Sequence, residues 1–175
     1  MLGLERGVVR LDAHDPTWVA AFEEFASAVR RHTGLTRARV EHVGSTSVPG
    51  LLAKPILDIV VGADANECVD ELAARIAELG YIDRGFGTAS NGRLLVRESA
   101  PNVRVVHLHI VLYRSAYWRH YVDFRDALRT DHVLRDQYVV LKTMLAERFR
   151  TDRESYTRAK GSFIVDALAT LGVSV

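Results

Sequence analysis

The stretch HVGSTSVPGLLAKPILDIVV, positions 42–61, brings a Gly-Ser turn, a lysine and a lone aspartate close together along the chain. Gly44 lets the backbone approach a ligand without an intervening Cβ. The amides after it can form an anion nest, and the hydroxyls of Ser45, Thr46 and Ser47 add donors. Lys54 supplies a compact ammonium suited to phosphate. Asp58 lies in the middle of an apolar run with Ile56 and Val60 on its own strand face and Leu57, Ile59 and Val61 on the other. Such a strand is normally interior, where an ionised carboxylate is costly unless it is paired or metal-bound. Asp58 therefore needs a cation, a metal or a proton. A polar turn and a salt bridge to Lys54, an arginine or a histidine would account for the same residues without a ligand.

A second constellation is His107-Leu108-His109 in VRVVHLHIVL. Strand alternation puts Val105, His107, His109 and Val111 on one face and Val106, Leu108 and Ile110 on the other. An i, i+2 imidazole pair can chelate a metal from one side, contact phosphate, or transfer protons near neutral pH. Two structurally satisfied histidines are the plainer alternative. Glu41 and His42 point to opposite faces of their strand, so at most one lies towards Asp58. Further along, Arg125 and Arg129 are spaced i, i+4, as are Tyr156 and Lys160, with Lys142 between. Each could reach an anion or sit on a solvated helical face.

Composition narrows the class. The chain has 175 residues, 48% hydrophobic, enough for the core of one domain. A net charge of +1 argues against a general nucleic-acid coat. No apolar run reaches the ~20 residues of a membrane helix. The opening MLGLERGVVRLD carries charges where a signal peptide needs an apolar block. The expectation is a cytoplasmic protein with no membrane partner. Cys68 is the single cysteine, so no internal disulfide is possible, and it reads as a small buried residue on a helix. Positions 114–160 hold eleven Lys/Arg against seven Asp/Glu, a local excess of four. Only Lys54, Lys142 and Lys160 are lysine against twenty arginines. In so arginine-biased a chain, the lysines are candidates for sites that need an ammonium rather than a planar fork.

The elements that must position these groups follow from periodicity. Asp15-Pro16 opens a helix whose apolar positions Trp18, Phe22, Phe25 and Val29 recur to about residue 32, with Gly34 ending it. Residues 37–43 and 55–61 read as strands flanking the turn-rich 44–50. Residues 66–79 read as a helix stopped by Gly80, and 85–92 as a flexible loop. Strands are expected around 93–98 and 103–112, joined by Ala100-Pro101-Asn102. Helices are expected over 117–129, 131–149 and 152–171, the last opened by the capping-box pattern Thr151-Asp152-Arg153-Glu154. The sum is an α+β half of four or five strands with a mixed sheet, then a three-helix half.

Several blocks resemble the GrpB family, also called UPF0157: EHVGSTSVPGLLAKPILDIVV (41–61), HLHI (107–110), FRDALR (124–129), YVVLKTMLAERF (138–149) and YTRAKGSFI (156–164). DPTWVAAFEEF (15–25) resembles the family's first helix. The resemblance implies an α+β fold: a mixed β-sheet nucleotidyltransferase-like core over about 1–115 and a C-terminal helical extension over about 116–175, in a single domain. In nucleotidyltransferases the Gly-Ser turn holds nucleotide phosphates. Two acids at i, i+2 and a third on a later strand hold metals. By that resemblance Gly44 and Ser45 match the pair and Asp58 the first acid. The chain departs next: Val60 stands at the second acid, and His107 and His109 where the third is expected. One Asp with two His suits a transition metal better than magnesium.

The functional expectation is a nucleotide or other phosphorylated ligand on the 44–47 turn, contacted by Lys54, Arg125, Lys142, Tyr156 and Lys160. Asp58, His107 and His109 would be the catalytic and metal-holding set for group transfer with a divalent ion (Mg²⁺, Mn²⁺ or Zn²⁺). The alternative is a non-catalytic binding or accessory module, since the resemblance extends to domains fused to dephospho-CoA kinase. This sequence carries no kinase P-loop and reads as a stand-alone version.

Overall fold

The computed structural model describes residues 1–64, 68–86 and 92–173. The chain opens with a two-residue strand, β1 (Leu4–Glu5), and then α1 (Thr17–Thr33). Asp15 accepts a hydrogen bond from the Thr17 amide at 2.9 Å, and Gly34 closes the helix at φ 75°. β2 (Val40–Val43), β3 (Leu57–Ala63), α2 (Val69–Ala77), β4 (Ile82–Phe86), β5 (Arg93–Ala100) and β6 (Val103–Leu112) follow. The chain then becomes helical through α3 (Ala116–Thr130), α4 (His132–Arg148), α5 (Arg153–Ala159) and α6 (Gly161–Thr170).

The sheet is mixed, as its alternating strand and helix order predicts. Its order is β2-β3-β6-β5-β4, with β1 paired to the start of β6. Among the described residues only β3 and β6 run parallel, with Asp58 opposite His107 and Val60 opposite His109. Period-2 alternation gives the sheet two different faces. On one, Leu57, Ile59, Val61, Leu108 and Ile110 pack under α1 (Trp18, Phe22, Ala26, Val29) and α2 (Leu72, Ala73, Ile76). Burying each such side chain stabilises the fold by roughly 1.5–3 kcal/mol.

The other face carries Asp58, His107 and His109 and is covered only in part. Trp118 of α3 packs on Val43, Val60 and Val111. Phe124 and Leu128 of α3, Tyr138 of α4 and Leu168 of α6 enclose Val48 and Leu51, which follow the Gly-Ser turn. Tyr156 of α5 packs with Val9 and Leu145. The helical half therefore grips the turn directly and carries its cations to the sheet. No helix among the described residues is long and apolar enough to cross a membrane.

Four expectations change. Residues 37–43 divide into a 3₁₀ turn (Arg37–Arg39) and β2. β4 has no counterpart in the periodicity, because as an edge strand it is almost wholly exposed and shows no apolar alternation. It takes in Gly85 and Phe86 of the expected loop, whose residues 87–91 lie outside the described residues. The helix over 152–171 breaks at Lys160-Gly161. α5 serves the cluster of Val9 and Leu145 while α6 serves that of Phe124 and Leu128, and one straight rod would have to reach both. Cys68 is exposed and precedes α2 instead of being buried in it.

Candidate functional site: a cationic cleft over Asp58

The turn and the aspartate fit each other at van der Waals limits. Gly44 has φ 66°, a left-handed value that favours glycine. A Cβ placed there would lie 2.5 Å from Asp58 Oδ2. Gly44 is thus required twice, by its backbone and by the carboxylate against it. The Asp58 side chain is 33% exposed, so it lines an open cleft and is reachable by solutes.

Both imidazoles converge on one carboxylate oxygen. His107 Nδ1 lies 3.2 Å from Asp58 Oδ1, and His109 Nε2 lies 3.9 Å from the same atom. The other nitrogen of His107, Nε2, is 2.6 Å from Arg153 Nη2. A guanidinium can only donate, so Nε2 accepts and the proton resides on Nδ1, which donates to Asp58. Burial lowers the His107 pKa to about 4 against the opposing pull of Asp58, which keeps the ring neutral at pH 7. Burial pushes Asp58 up, but the hydrogen bond from His107 and the nearby His109 outweigh it and hold the carboxylate well below its usual range. His109 leans on Tyr121 of α3, ring centroids 4.9 Å apart.

Cations gather around the turn and the Tyr156 ring. Lys142 of α4, 1% exposed, donates to Ser45 Oγ at 3.0 Å and to the Leu52 carbonyl. Burial and then Lys160 lower its pKa to about 7, with Asp58 opposing. Lys54 and Lys160 lie over the Tyr156 ring, 5.0 and 4.6 Å from its centroid. Lys54 is depressed by burial and by Lys160, Arg153 and Lys142, with Asp58 alone pulling it up. Burial also raises the Tyr156 pKa, which keeps the phenol protonated.

The expected residues thus separate into two groups. Gly44, Ser45, Lys54, Asp58, His107, His109, Lys142, Tyr156 and Lys160 come together. Thr46 and Ser47 direct their hydroxyls inward, Thr46 to His42 Nε2 at 3.0 Å and Ser47 to the Gly44 carbonyl at 2.6 Å. They shape the turn and are not open donors. Arg125 is 7% exposed and bonded to Glu41, Asp126 and the His42 carbonyl, so it clamps α3 to β2. Arg129 similarly holds the Ser47 carbonyl at 2.8 Å. Of the strand-β2 pair, Glu41 shares the Asp58 face, while His42 stacks on Phe22 of α1 at 4.7 Å. Arg153, which donates to His107, is the residue of this cluster that sequence reasoning missed. Its position inside a capping box signals only a helix start.

The donor set does not make a metal cradle. Among the described residues no group of three or more His, Cys, Asp or Glu is arranged to hold a metal ion. His107 illustrates the reason: one nitrogen carries a proton and the lone pair of the other is taken by Arg153, so neither is open to a metal ion. A buried surplus of Lys and Arg further disfavours one. In this structure the expected Asp58-His107-His109 set is joined by the His107–Asp58 hydrogen bond, with His109 3.9 Å from the same oxygen.

Comparison with known proteins agrees with this architecture. The solved structure of GrpB from Enterococcus faecalis superposes with a TM-score of 0.77 at 33% identity, covering 90% of this chain and 93% of that one. A Cid1 poly(U) polymerase structure with MgGTP bound gives a TM-score of 0.53 at 13% identity over 78% of this chain and 44% of its own, a likeness of fold alone. Glutamate-rich protein GrpB of Alkalihalophilus pseudofirmus is 30% identical over 96% of this chain and 98% of its own length. The dephospho-CoA kinase of Mycolicibacterium paratuberculosis is 25% identical over 94% of this chain, which spans only 46% of the kinase. The GrpB protein family matches residues 8–170, and the chain, with its nucleotidyltransferase-like core, belongs to that family.

Proposed function

We propose that the cleft binds the phosphoryl group of a nucleotide or other phosphorylated small molecule. The anion would sit on the Gly44-Ser45 turn, between Lys54, Lys142 and Lys160, with Arg153 at the far side of His107. One observation carries the reading: Lys142 donates to Ser45 of the turn, Lys54 and Lys160 flank the Tyr156 ring, and burial together with the neighbouring cations depresses Lys54 and Lys142. Clustered like charges are costly unless an anion completes them. The nucleotidyltransferase-like core supports a nucleotide as the ligand.

Binding without two-metal transfer is the reading this site favours. Val60 is fully buried opposite His109, where transfer chemistry would call for a second acid. The partial match to a dephospho-CoA kinase supports an accessory role beside such an enzyme in the cytoplasm. Isothermal titration with pyrophosphate, nucleoside triphosphates and coenzyme A, each with and without Mg²⁺, Mn²⁺ or Zn²⁺, tests this. The expected result is metal-independent binding that Lys54→Met and Lys142→Met weaken. Binding that requires a divalent ion, or no binding by any of these anions, would refute it.

A further inference from the structure

Arg153 is placed oddly for a structural residue. Its Nη2 donates to His107 Nε2 at 2.6 Å, while its Nη1 is buried without a hydrogen-bond partner among the described residues. It makes no ion pair among them, and besides Asp58 the charges that act on it include another guanidinium, Arg104, and Lys54. A buried cationic donor left unsatisfied is expensive, and structures retain one where a ligand completes it. The imidazole it caps is itself oriented from behind by Asp58.

We propose that Arg153 is a ligand-binding residue that caps His107 in the free protein and is drawn off it by an incoming phosphoryl group. The proposal deepens the anion reading of the cleft and rests on it. The capped state leaves Nη1 unsatisfied. A phosphoryl oxygen offers the guanidinium two charge-assisted bonds in place of one bond to a neutral ring. Once Arg153 turns to the anion, His107 keeps its proton on Nδ1, bonded to Asp58. Its Nε2 lone pair then opens towards the cleft, ready to accept a hydrogen bond from a hydroxyl of the bound molecule. His107 would thus be exposed as an acceptor only when an anion is present, and Arg153 would sense that anion. α5, a seven-residue helix separated from α6 at Lys160, is the element that carries the guanidinium.

The test uses the whole chain and pyrophosphate as the probe. Two-dimensional ¹⁵N–¹H spectra of the imidazoles report which nitrogen of each ring is protonated, and titration calorimetry reports binding. In the free protein His107 should show its proton on Nδ1. Saturating pyrophosphate should shift its Nε2 resonance and leave Nδ1–H in place. Arg153→Gln should show the shifted Nε2 position with no probe present and bind pyrophosphate about tenfold more weakly, the loss of a charge-assisted contact. Arg153→Lys, which keeps the charge, should fall between the two. A free-protein His107 protonated on Nε2 would overturn the inference. So would tight pyrophosphate binding that leaves Nε2 unmoved, although the anion reading would then survive. No binding of pyrophosphate by the wild type would sink both.

Discussion

The two faces of the sheet are built from alternate residues of the same strands yet have opposite characters. Ile59 and Leu108 face α1 and α2 and are fully buried among aliphatic neighbours. One residue along each strand, Asp58 and His107 face the helical half, and their surroundings are charged and open to solutes. Each face also holds a neutral histidine, His42 buried and His107 half-buried. His42, stacked on Phe22 and bonded to Thr46, is closed off, whereas His107 joins Asp58 to Arg153. The contrast teaches that β3 and β6 hold the fold together with one set of side chains and present chemistry with the other.

The largest effect should come from the closed face. Leu108→Ala removes a fully buried side chain from the core and should cost about 2–5 kcal/mol in urea denaturation. His107→Gln, one residue away, should cost far less at pH 7. A comparable loss from both would show that the cleft face is core as well.

Acid titration should distinguish the two histidines. Burial lowers both His42 and His107 to about 4 from 6.5. The unfolded chain therefore binds more protons than the native one between pH 6.5 and 4. Their contribution is complete above pH 6.5 and is lost as pH falls to 4, by up to about 3 kcal/mol for each group. Denaturation followed against pH should show this slope, and His107→Gln should remove about half of it. An unchanged slope in that variant would place the titration elsewhere.

Gly44→Ala should impair the cleft rather than the core. The added methyl would clash with Asp58 Oδ2 at 2.5 Å and strain a left-handed residue, so pyrophosphate affinity should drop by about tenfold or more, judged by calorimetry. Wild-type affinity in this variant would mean that the turn is not the anion seat. The smallest expected change is the most discriminating. Asp58→Asn removes a negative charge from beside the proposed anion and should tighten pyrophosphate by a few-fold. A metal-bridged ligand would instead be lost with the aspartate.

Much of this was legible beforehand. The Gly-Ser turn, the mid-strand aspartate and the HxH pair each follow from residue type and alternation, and the mixed sheet confirms their common face. Thr46 and Ser47 were read as donors because a hydroxyl's direction depends on the turn's own hydrogen bonds. Arg125 was read as a ligand contact because its partner, Glu41, lies far away in sequence. Arg153 was overlooked because local spacing records only that it starts a helix.

By itself the sequence determined which strand face would be apolar and which polar, since a period of two is a property of the extended chain. It also placed a glycine and three hydroxyls in the turn before the strand that carries Asp58. Only the tertiary structure decided which cations meet that carboxylate, because Lys142, Arg153 and Lys160 arrive from helices whose docking depends on long-range packing. The same packing decided that His107 is locked between an acid and an arginine rather than open to a metal. Protonation and ligation are set by neighbours in space, and those neighbours are some fifty residues away along the chain.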